Sequence, residues 1–266
     1  MDRSARLEQE SIYILREAYA RFRNPAMLWS IGKDSTALLW LARKAFLGRC
    51  PMPLVHIDTT LKIPEMIEHR DRLVREWNLD LVVASNEEAL AGGMGPESGR
   101  MECCGALKTE PFRRIVAEKG YDAVLLGIRR DEERSRSKER IFSPRGGDFS
   151  WAYKEQPPEI WGQYNTDAPP GGHVRVHPIL DWTELDVWEY ISRERIPVVG
   201  LYFARGGKRY RSLGCHPCTE PIASTATTVD EIVEEVRAMR VSERAGRAQD
   251  RADVYAMQKL RSSGYM

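Results

Sequence analysis

Several features are missing from this 266-residue sequence, and each absence excludes a class of protein. No apolar run approaches the roughly 18 residues that a membrane-spanning helix needs. The first residues, MDRSARLEQESIY, are charged where a secretory signal peptide is apolar, so we do not expect secretion. Neither sign of charge is in excess, because 40 Lys and Arg face 39 Asp and Glu, which argues against a generally polycationic nucleic-acid binder. We therefore expect a cytoplasmic protein that does not act at a membrane.

The composition that is present is that of a globular protein, with 42% hydrophobic residues and a length that supports a large core. Before residue 130, short apolar runs of strand length alternate with helical stretches. These runs end at Trp29, Ile57, Ala84 and Gly127. The alternation predicts an α/β fold, a mostly parallel twisted sheet of Rossmann-like type with helices on both faces. We expect a nucleotide-binding domain over residues 1–200 and a C-terminal extension over 201–266 that carries a CxxC motif and terminal helices.

The segment SIGKDS, residues 30–35, lies between a predicted strand and a predicted helix. The unpaired N–H groups and the dipole at a helix N-terminus favour an anion. Gly32 allows a tight turn and a close approach to a phosphate. Lys33 adds a positive charge, and the hydroxyl groups of Ser30 and Ser35 can donate hydrogen bonds. The segment therefore predicts a phosphate-binding loop, with Asp34 among its cofactor-binding residues.

Other phosphate motifs do not account for this loop. A Walker A motif would need a glycine where Met27 stands, and the GxGxxG fingerprint is absent. The structural alternative is an ordinary strand-to-helix turn in which Asp34 caps the helix. Asp58 favours a ligand site instead, because it ends the next strand and should reach the same edge of the sheet. Its carboxylate could hold Mg²⁺ on a pyrophosphate or contact a ribose hydroxyl, although it could also cap a turn.

A dense charged run follows the fourth predicted strand. Its cations are Arg129, Arg130, Arg134, Arg136, Lys138 and Arg140. Most such runs are solvated surface, and the interleaved acidic residues cancel much of the charge. Arg129 and Arg130 differ from the others because they directly follow a strand end at the predicted ligand edge. We expect these two residues to supply positive charge to a leaving group or an acceptor.

These motifs resemble the PP-loop ATP pyrophosphatases, also called adenine nucleotide α-hydrolases. The resemblance is closest to the small subunits of sulfate adenylyltransferase and to the phosphoadenylyl-sulfate reductases. It covers nearly the whole chain and rests on SIGKDS, LARKAF, PLVHIDT, LKTE, RRDEERSRSKERIFS, PEIWGQYN, HPILDWTELDVWEYI, YRSLGC and SERAGRAQDR. The resemblance implies that ATP is cleaved between its α and β phosphates, that AMP passes to an acceptor oxyanion, and that pyrophosphate leaves.

The cysteines depart from the small adenylyltransferase subunits. Cys103 and Cys104 form an adjacent pair, and Cys215 and Cys218 form a CxxC motif, a pattern similar to the assimilatory adenylyl-sulfate reductases. That resemblance implies four thiolate ligands for a [4Fe–4S] cluster, with a zinc site as the alternative. Cys50 has no partner spacing and is interpreted as structural. No cysteine follows Cys218, so the nucleophile of those reductases is missing.

An adenylyltransferase-like chain with reductase-like cysteines resembles the ATP pyrophosphatases of DNA phosphorothioation. Our main hypothesis is therefore an ATP pyrophosphatase of a sulfur-incorporation pathway, with a cysteine desulfurase, other pathway proteins and DNA as partners. The first alternative is a sulfate adenylyltransferase subunit that works with a GTPase partner. The second is a non-catalytic nucleotide-binding protein. ATP, Mg²⁺ and an iron–sulfur cluster are the expected cofactors, and a homo-oligomer is compatible with each hypothesis.

Overall fold

A computed structural model describes residues 2–241, 243 and 264 of the chain, except the side chains of Arg134 and Ser135. Six strands form the main sheet. They are β1 (Pro25–Leu28), β2 (Leu54–Ile57), β3 (Leu81–Ala84), β4 (Ala123–Leu125), β5 (Phe142–Arg145) and β6 (His173–Val176). Their order across the sheet is β3-β2-β1-β4-β6-β5, and every neighbouring pair is parallel except β5 with β6.

Helices cover both faces of this sheet. They are α1 (Arg3–Arg21), α2 (Lys33–Ala45), α3 (Pro64–Trp77), α4 (Glu87–Ala91), α5 (Arg100–Cys104), α6 (Glu110–Lys119), α7 (Glu184–Glu194) and α8 (Val229–Ala238). One hydrophobic cluster joins α1, α2, α7 and α8 to one face of the sheet. A second cluster packs α6 against the other face. The predicted α/β fold, a mostly parallel sheet between helical layers, is confirmed.

The order of the strands determines where a ligand can bind. The chain runs outward from β1 through β2 to β3, and then returns to the other side of β1 with β4 and β6. The connections after β1 and after β4 therefore leave the sheet in opposite directions. In open α/β sheets such a reversal creates a crevice at the carboxyl ends of the strands, where ligands bind. The residues after Leu28 and after Leu125 border this crevice.

Capping residues mark the limits of two helices, α7 and α3. The Thr183 side chain accepts a hydrogen bond from the Asp186 N–H, and the Asp186 carboxylate accepts one from the Thr183 N–H, which is a capping box at the start of α7. A proline at the first position of α3 and a left-handed Asn78 after its end mark the limits of that helix in the same way. These caps agree with the helix boundaries that the sequence pattern predicts.

Some predicted elements were wrong in detail. Residues 85–105, predicted as loop, contain α4 and α5, and α5 continues through a π-helical segment, Gly105–Thr109, into α6. The antiparallel edge strand β5 was not predicted, because it lies at the end of the segment that was interpreted as a charged run. A small hairpin, β7 (Lys208–Arg209) with β8 (Ile222–Ala223), was also missed.

The C-terminal part was predicted to form an extension with terminal helices. Helix α8 is present, and its Ile232 and Val233 pack in the same core cluster as Leu7 and Leu38. The predicted helix beyond residue 241 lies outside the described residues. The division of the chain at residue 200 stays a prediction. In the described part of the chain, no helix is both long enough and apolar enough to cross a membrane.

Candidate active site

A cavity of about 180 Å³ opens at the crevice between β1 and β4. The SIGKDS loop forms one wall, and the residues after β4 form another. Further residues that line it are Lys62, Lys108, Glu132, Arg136, Tyr202, Ser212, Leu213, Gly214 and Glu243. Small-molecule sites commonly measure about 300–1,000 Å³, so this cavity is small for a nucleotide.

The turn in the phosphate loop is made differently from the prediction. Gly32 has an extended backbone with φ −67°, and the left-handed residue is Ile31, with φ +69°. A β-branched residue in this region is strained, and strain of this kind persists only where the surrounding structure holds it. Ile31 is buried in the main core cluster, which supplies that constraint. Gly32 instead lines the cavity and leaves the backbone open to a phosphate.

A second glycine lets the loop lie close to β4. A Cβ atom on Gly127 would lie 2.9 Å from the Cα of Ser35 and 3.0 Å from the carbonyl carbon and oxygen of Asp34. Both neighbours are backbone of the phosphate loop and the start of α2, so neither can move aside cheaply. Gly127 thus allows the end of β4 to pack directly on the loop, which brings Arg129 beside Asp34.

Two buried cations form the centre of the site. The Nζ of Lys33 lies 3.1 Å from the Asp34 carboxylate and 2.5 Å from that of Glu243. Arg129 is fully buried, and its Nε donates to Asp34 at 2.6 Å and its Nη1 to Asp131 at 2.5 Å. The Nη2 of Arg129 donates to Glu243. Asp34 and Glu243 therefore each bridge the two cations.

These carboxylates keep both cations charged. Burial lowers the pKa of Lys33, but the nearby charges of Asp34 and Glu243 outweigh burial and raise that pKa above its usual value. Burial likewise lowers the pKa of Arg129, and Asp34, Glu243 and Asp131 raise it further than burial lowers it. The site therefore presents two permanent positive charges in a place from which water is largely excluded.

Tyr202 fixes the start of helix α2. Its hydroxyl accepts a hydrogen bond of 2.8 Å from the backbone N–H of Lys33, and the whole residue is buried. Ser30 and Ser35, both predicted site residues, line the cavity with their hydroxyl groups 3.1 Å apart. The Ser35 hydroxyl also donates to the carbonyl oxygen of Gly32 at 3.1 Å. The predicted residues of the loop are thus brought together.

Two predicted residues lie apart from this cavity. Asp58 ends β2 at the expected edge, but it does not line the cavity, and its Oδ1 accepts a hydrogen bond of 2.8 Å from the Thr60 N–H. Arg130 points away from Arg129, forms an ion pair with Asp181 and lines a separate cavity of about 640 Å³. Arg129 has an extended backbone, and Arg130 begins a 3₁₀ turn, so the two side chains leave the chain in different directions.

Sequence reasoning missed Tyr202, Lys62, Lys108 and Glu243 as residues of the site. Glu243 belongs to the SERAGRAQDR segment that carried the resemblance, but nothing in that pattern indicates a contact with Lys33, which lies 210 positions earlier. Lys108 belongs to the LKTE motif, where a helix was predicted. It lies in the π-helical segment, and π-bulges are frequent at functional sites.

The four cysteines of the predicted metal site are neighbours beside the cavity. Cys103 and Cys104 are buried at the end of α5, and Cys215 follows Gly214 of the cavity wall. The Sγ of Cys215 lies 3.2 Å from the Thr59 hydroxyl. Among the described residues, no three Cys, His, Asp or Glu side chains converge on one point as ligands of a metal ion.

Charge is not shared equally among these thiols. A hydrogen bond from Cys218 lowers the pKa of Cys215 well below its ordinary value against the effect of burial, and the charges of Lys108 and Lys62 act in the same direction. The pKa of Cys218 is raised by the same hydrogen bond and by burial. Burial and the charges of Cys104 and Cys215 raise the pKa of Cys103. These effects favour Cys215 over Cys103 and Cys218 as the position of a thiolate.

The phosphate loop at a topological switch point defines an α/β protein of the nucleotide-binding class. Residues 24–221 match the family model of the phosphoadenosine phosphosulfate reductase domain. The chain belongs to this family, in the adenine nucleotide α-hydrolase superfamily, as its motifs predicted.

Individual proteins similar to this chain include sulfate adenylyltransferase subunits and solved structures that share its fold. "Sulfate adenylyltransferase subunit 2" of Rhodopseudomonas palustris is 47% identical over 98% of this chain and 89% of its own length. The protein of the same name from Geotalea daltonii is 44% identical over 97% of this chain and 96% of its own length. Among solved structures, the phosphoadenylyl-sulfate reductase of Candida auris shares the fold with a TM-score of 0.56 and 19% identity, over 83% of this chain and 98% of that one. An FMN adenylyltransferase of Candida glabrata shares the fold with a TM-score of 0.58 and 15% identity, and the match covers 99% of this chain and 84% of that one.

These relatives correct the main functional hypothesis. A role in DNA phosphorothioation was wrong, because near-full-length relatives at 44–47% identity are sulfate adenylyltransferase subunits. The cysteine pattern misled because it was given more weight than the similarity of the rest of the chain. The prediction of an ATP-dependent, adenylyl-transferring enzyme is confirmed, which excludes the non-catalytic alternative. The relatives give no support for an iron–sulfur cluster or for a cysteine desulfurase and DNA as partners.

Proposed function

We propose that this chain is the ATP-binding catalytic subunit of a sulfate adenylyltransferase, which forms adenylyl sulfate and pyrophosphate from ATP and sulfate. The observation that carries the proposal is the position of Lys33. A buried, permanently charged ammonium group lies at the N-terminus of α2 and at the switch point of the sheet, where the phosphates of a nucleotide bind. The names of the relatives support sulfate as the acceptor.

The reaction requires positioning and charge neutralisation rather than a covalent group on the protein. An oxygen of sulfate attacks the α-phosphorus, the bond from that phosphorus to the bridging oxygen breaks, and pyrophosphate leaves with the electron pair. Lys33 and the N–H groups of the loop would bind the pyrophosphate, with Arg129 behind them. Lys62 and Lys108, on the wall formed by other segments, are placed to attract the acceptor anion.

Mg²⁺ is expected to enter with the nucleotide. It keeps several water ligands and binds phosphates together with one or two carboxylates. Glu132 lines the cavity and Asp58 lies at the end of β2, so these two residues could supply a carboxylate. Because no protein cage is present among the described residues, the phosphates would provide most of the ligands. The ion would neutralise charge that develops on the leaving group.

The test is release of pyrophosphate from ATP by the purified chain, together with the GTPase subunit that this class of enzyme is expected to need. We expect sulfate to increase the rate and adenylyl sulfate to accumulate in equal amount. Chloride at the same ionic strength is the control. A rate that does not respond to sulfate, with ATP still consumed, would contradict sulfate as the acceptor. A cytoplasmic location and a homo-oligomeric state stay predictions.

We also infer that Cys103, Cys104, Cys215 and Cys218 form a thiolate site for a metal, either an iron–sulfur cluster or zinc. The donors suit both metals in kind and number. The thiols interact with one another, which supports a common site that forms when the metal binds, since no three of them converge as ligands among the described residues. The loop that carries Cys215 and Cys218 contacts the segment after β2, because the His216 N–H donates a hydrogen bond of 2.7 Å to the carbonyl oxygen of Leu61. A metal here would brace the wall of the cavity.

Metal content of protein purified without oxygen tests this site. We expect about four irons with sulfide, or about one zinc, per chain. The variants Cys215→Ala and Cys218→Ala should lose it. Cys50→Ala is the matched control, because burial raises the pKa of Cys50 to about 11 and it lies outside the group. Equal metal content in wild type and in Cys215→Ala would refute the site.

A further inference from the structure

The carboxylate of Glu243 lies where the geometry of the loop would place a phosphate. One of its oxygens contacts the Nζ of Lys33 at 2.5 Å, and the other accepts a hydrogen bond from Arg129. Both cations are buried, and neighbouring carboxylates keep them charged. A carboxylate that bridges them with two oxygens reproduces the contacts that two phosphate oxygens would make.

Glu243 also leaves little capacity for another anion. Each of the three side-chain nitrogens of Arg129 already donates to a carboxylate, namely those of Asp34, Asp131 and Glu243. Three carboxylates thus share these two cations. A phosphate group that enters must compete with Glu243 for the donors of Lys33 and Arg129. Removal of Glu243 would open donors on both cations.

The segment that carries Glu243 follows helix α8. Helix α8 ends at Ala238, and the Nη2 of Arg211 donates to the carbonyl oxygen of Val241 at 3.0 Å. Arg240, between these points, is exposed. The ion pairs of Glu243 join this segment to the phosphate loop and the strand β4 side of the site, and a ligand that breaks them would remove these contacts.

We propose that Glu243 occupies a phosphate subsite between Lys33 and Arg129, and that the pyrophosphate group of the nucleotide must displace it to bind. This inference rests on the proposed function, because it assumes that the loop binds ATP. It explains the small volume of the cavity, since Glu243 forms part of its wall. It also couples the position of the C-terminal segment to occupancy of the site.

The first experiment measures the affinity for inorganic pyrophosphate, in metal-free buffer and then with Mg²⁺. Loss of a competing charge-assisted contact should let Glu243→Gln bind pyrophosphate about 10-fold to 100-fold more tightly than wild type. Glu243→Asp should restore much of the competition. Glu234→Gln is the matched control, because Glu234 pairs only with the exposed Arg237 among the ion pairs of α8 that the structure describes. Unchanged or weaker binding by Glu243→Gln would overturn the proposal.

The second experiment uses the wild-type protein, so it does not depend on the folding of a variant. Limited trypsin digestion followed by mass spectrometry reports cleavage after Arg240. We expect saturating pyrophosphate to accelerate this cleavage several-fold, while cleavage at sites before the end of α8 stays constant. No acceleration in a protein that binds pyrophosphate would reject displacement and leave the proposed function intact. If wild type and Glu243→Gln bind neither ATP nor pyrophosphate, both proposals fail.

Discussion

Replacement of Lys33 by methionine is expected to lower kcat/KM for ATP by about 10²–10³-fold, the usual cost of removing one preorganised charged or hydrogen-bonding group from a transition state. The charge of Lys33 is maintained by Asp34 and Glu243, and it lies where negative charge develops on the leaving pyrophosphate. Methionine keeps the apolar stem and fills the same volume, so the packing of α2 is retained. Sulfate-dependent release of pyrophosphate measures the effect.

Lys44→Met is the matched control for this change. Lys44 lies on the same helix, is one-third exposed, and pairs with Glu8 at 2.6 Å and Glu194 at 3.0 Å, far from the cavity. Surface pairs contribute about 0–1 kcal/mol, so this variant should lose a little stability and keep its activity within about twofold. Equal losses of activity in the two variants would mean that Lys33 acts only through the stability of α2.

Replacement of Arg129 by methionine is expected to lower the free energy of unfolding by about 3–5 kcal/mol, because it leaves buried carboxylates without their counter-ion. Arg129 is fully buried and holds Asp34, Asp131 and Glu243 at once. Arg129→Lys should recover only part of the loss, since an ammonium group cannot donate in three fixed directions. Urea denaturation at constant pH measures both variants.

The neighbouring arginine provides the control. Arg130 has the same chemistry and an adjacent position, but its side chain is one-third exposed and pairs with the exposed Asp181. Arg130→Met should therefore cost no more than about 1 kcal/mol. A loss in Arg129→Met as small as that in Arg130→Met would show that the buried network contributes little to stability.

Arg129 and Arg130 also show how far the site could be predicted. Both were expected at the ligand edge because they follow the predicted strand end at Gly127. Arg129 contacts the phosphate loop, whereas Arg130 lines a separate cavity. The sequence could not tell which of the two points inward, because that depends on where the extended backbone gives way to the 3₁₀ turn that begins at Arg130. Asp58 shows the same limit of the sequence pattern. Its strand was predicted correctly, but its carboxylate accepts a hydrogen bond from the turn at Thr60 and does not line the cavity.

The balanced charge and the cysteine pattern of the sequence have a more specific meaning in the structure. Balanced charge excluded a general polycation, whereas the structure shows that the balance is local, with buried cations matched by carboxylates at the active site. Four of the cysteines suggested a sulfur-insertion enzyme, and the relatives of the whole chain corrected that hypothesis.

The sequence by itself determined the fold class, the phosphate loop and the family, because periodicity, helix caps and the SIGKDS segment are local features of the chain. Only the tertiary structure decided that Ile31 rather than Gly32 takes the left-handed turn, that Tyr202 fixes the loop, and that Glu243 occupies it. These contacts join residues far apart in the chain. They depend on the order of the strands and on the packing of α7 and α8, and no local pattern encodes either.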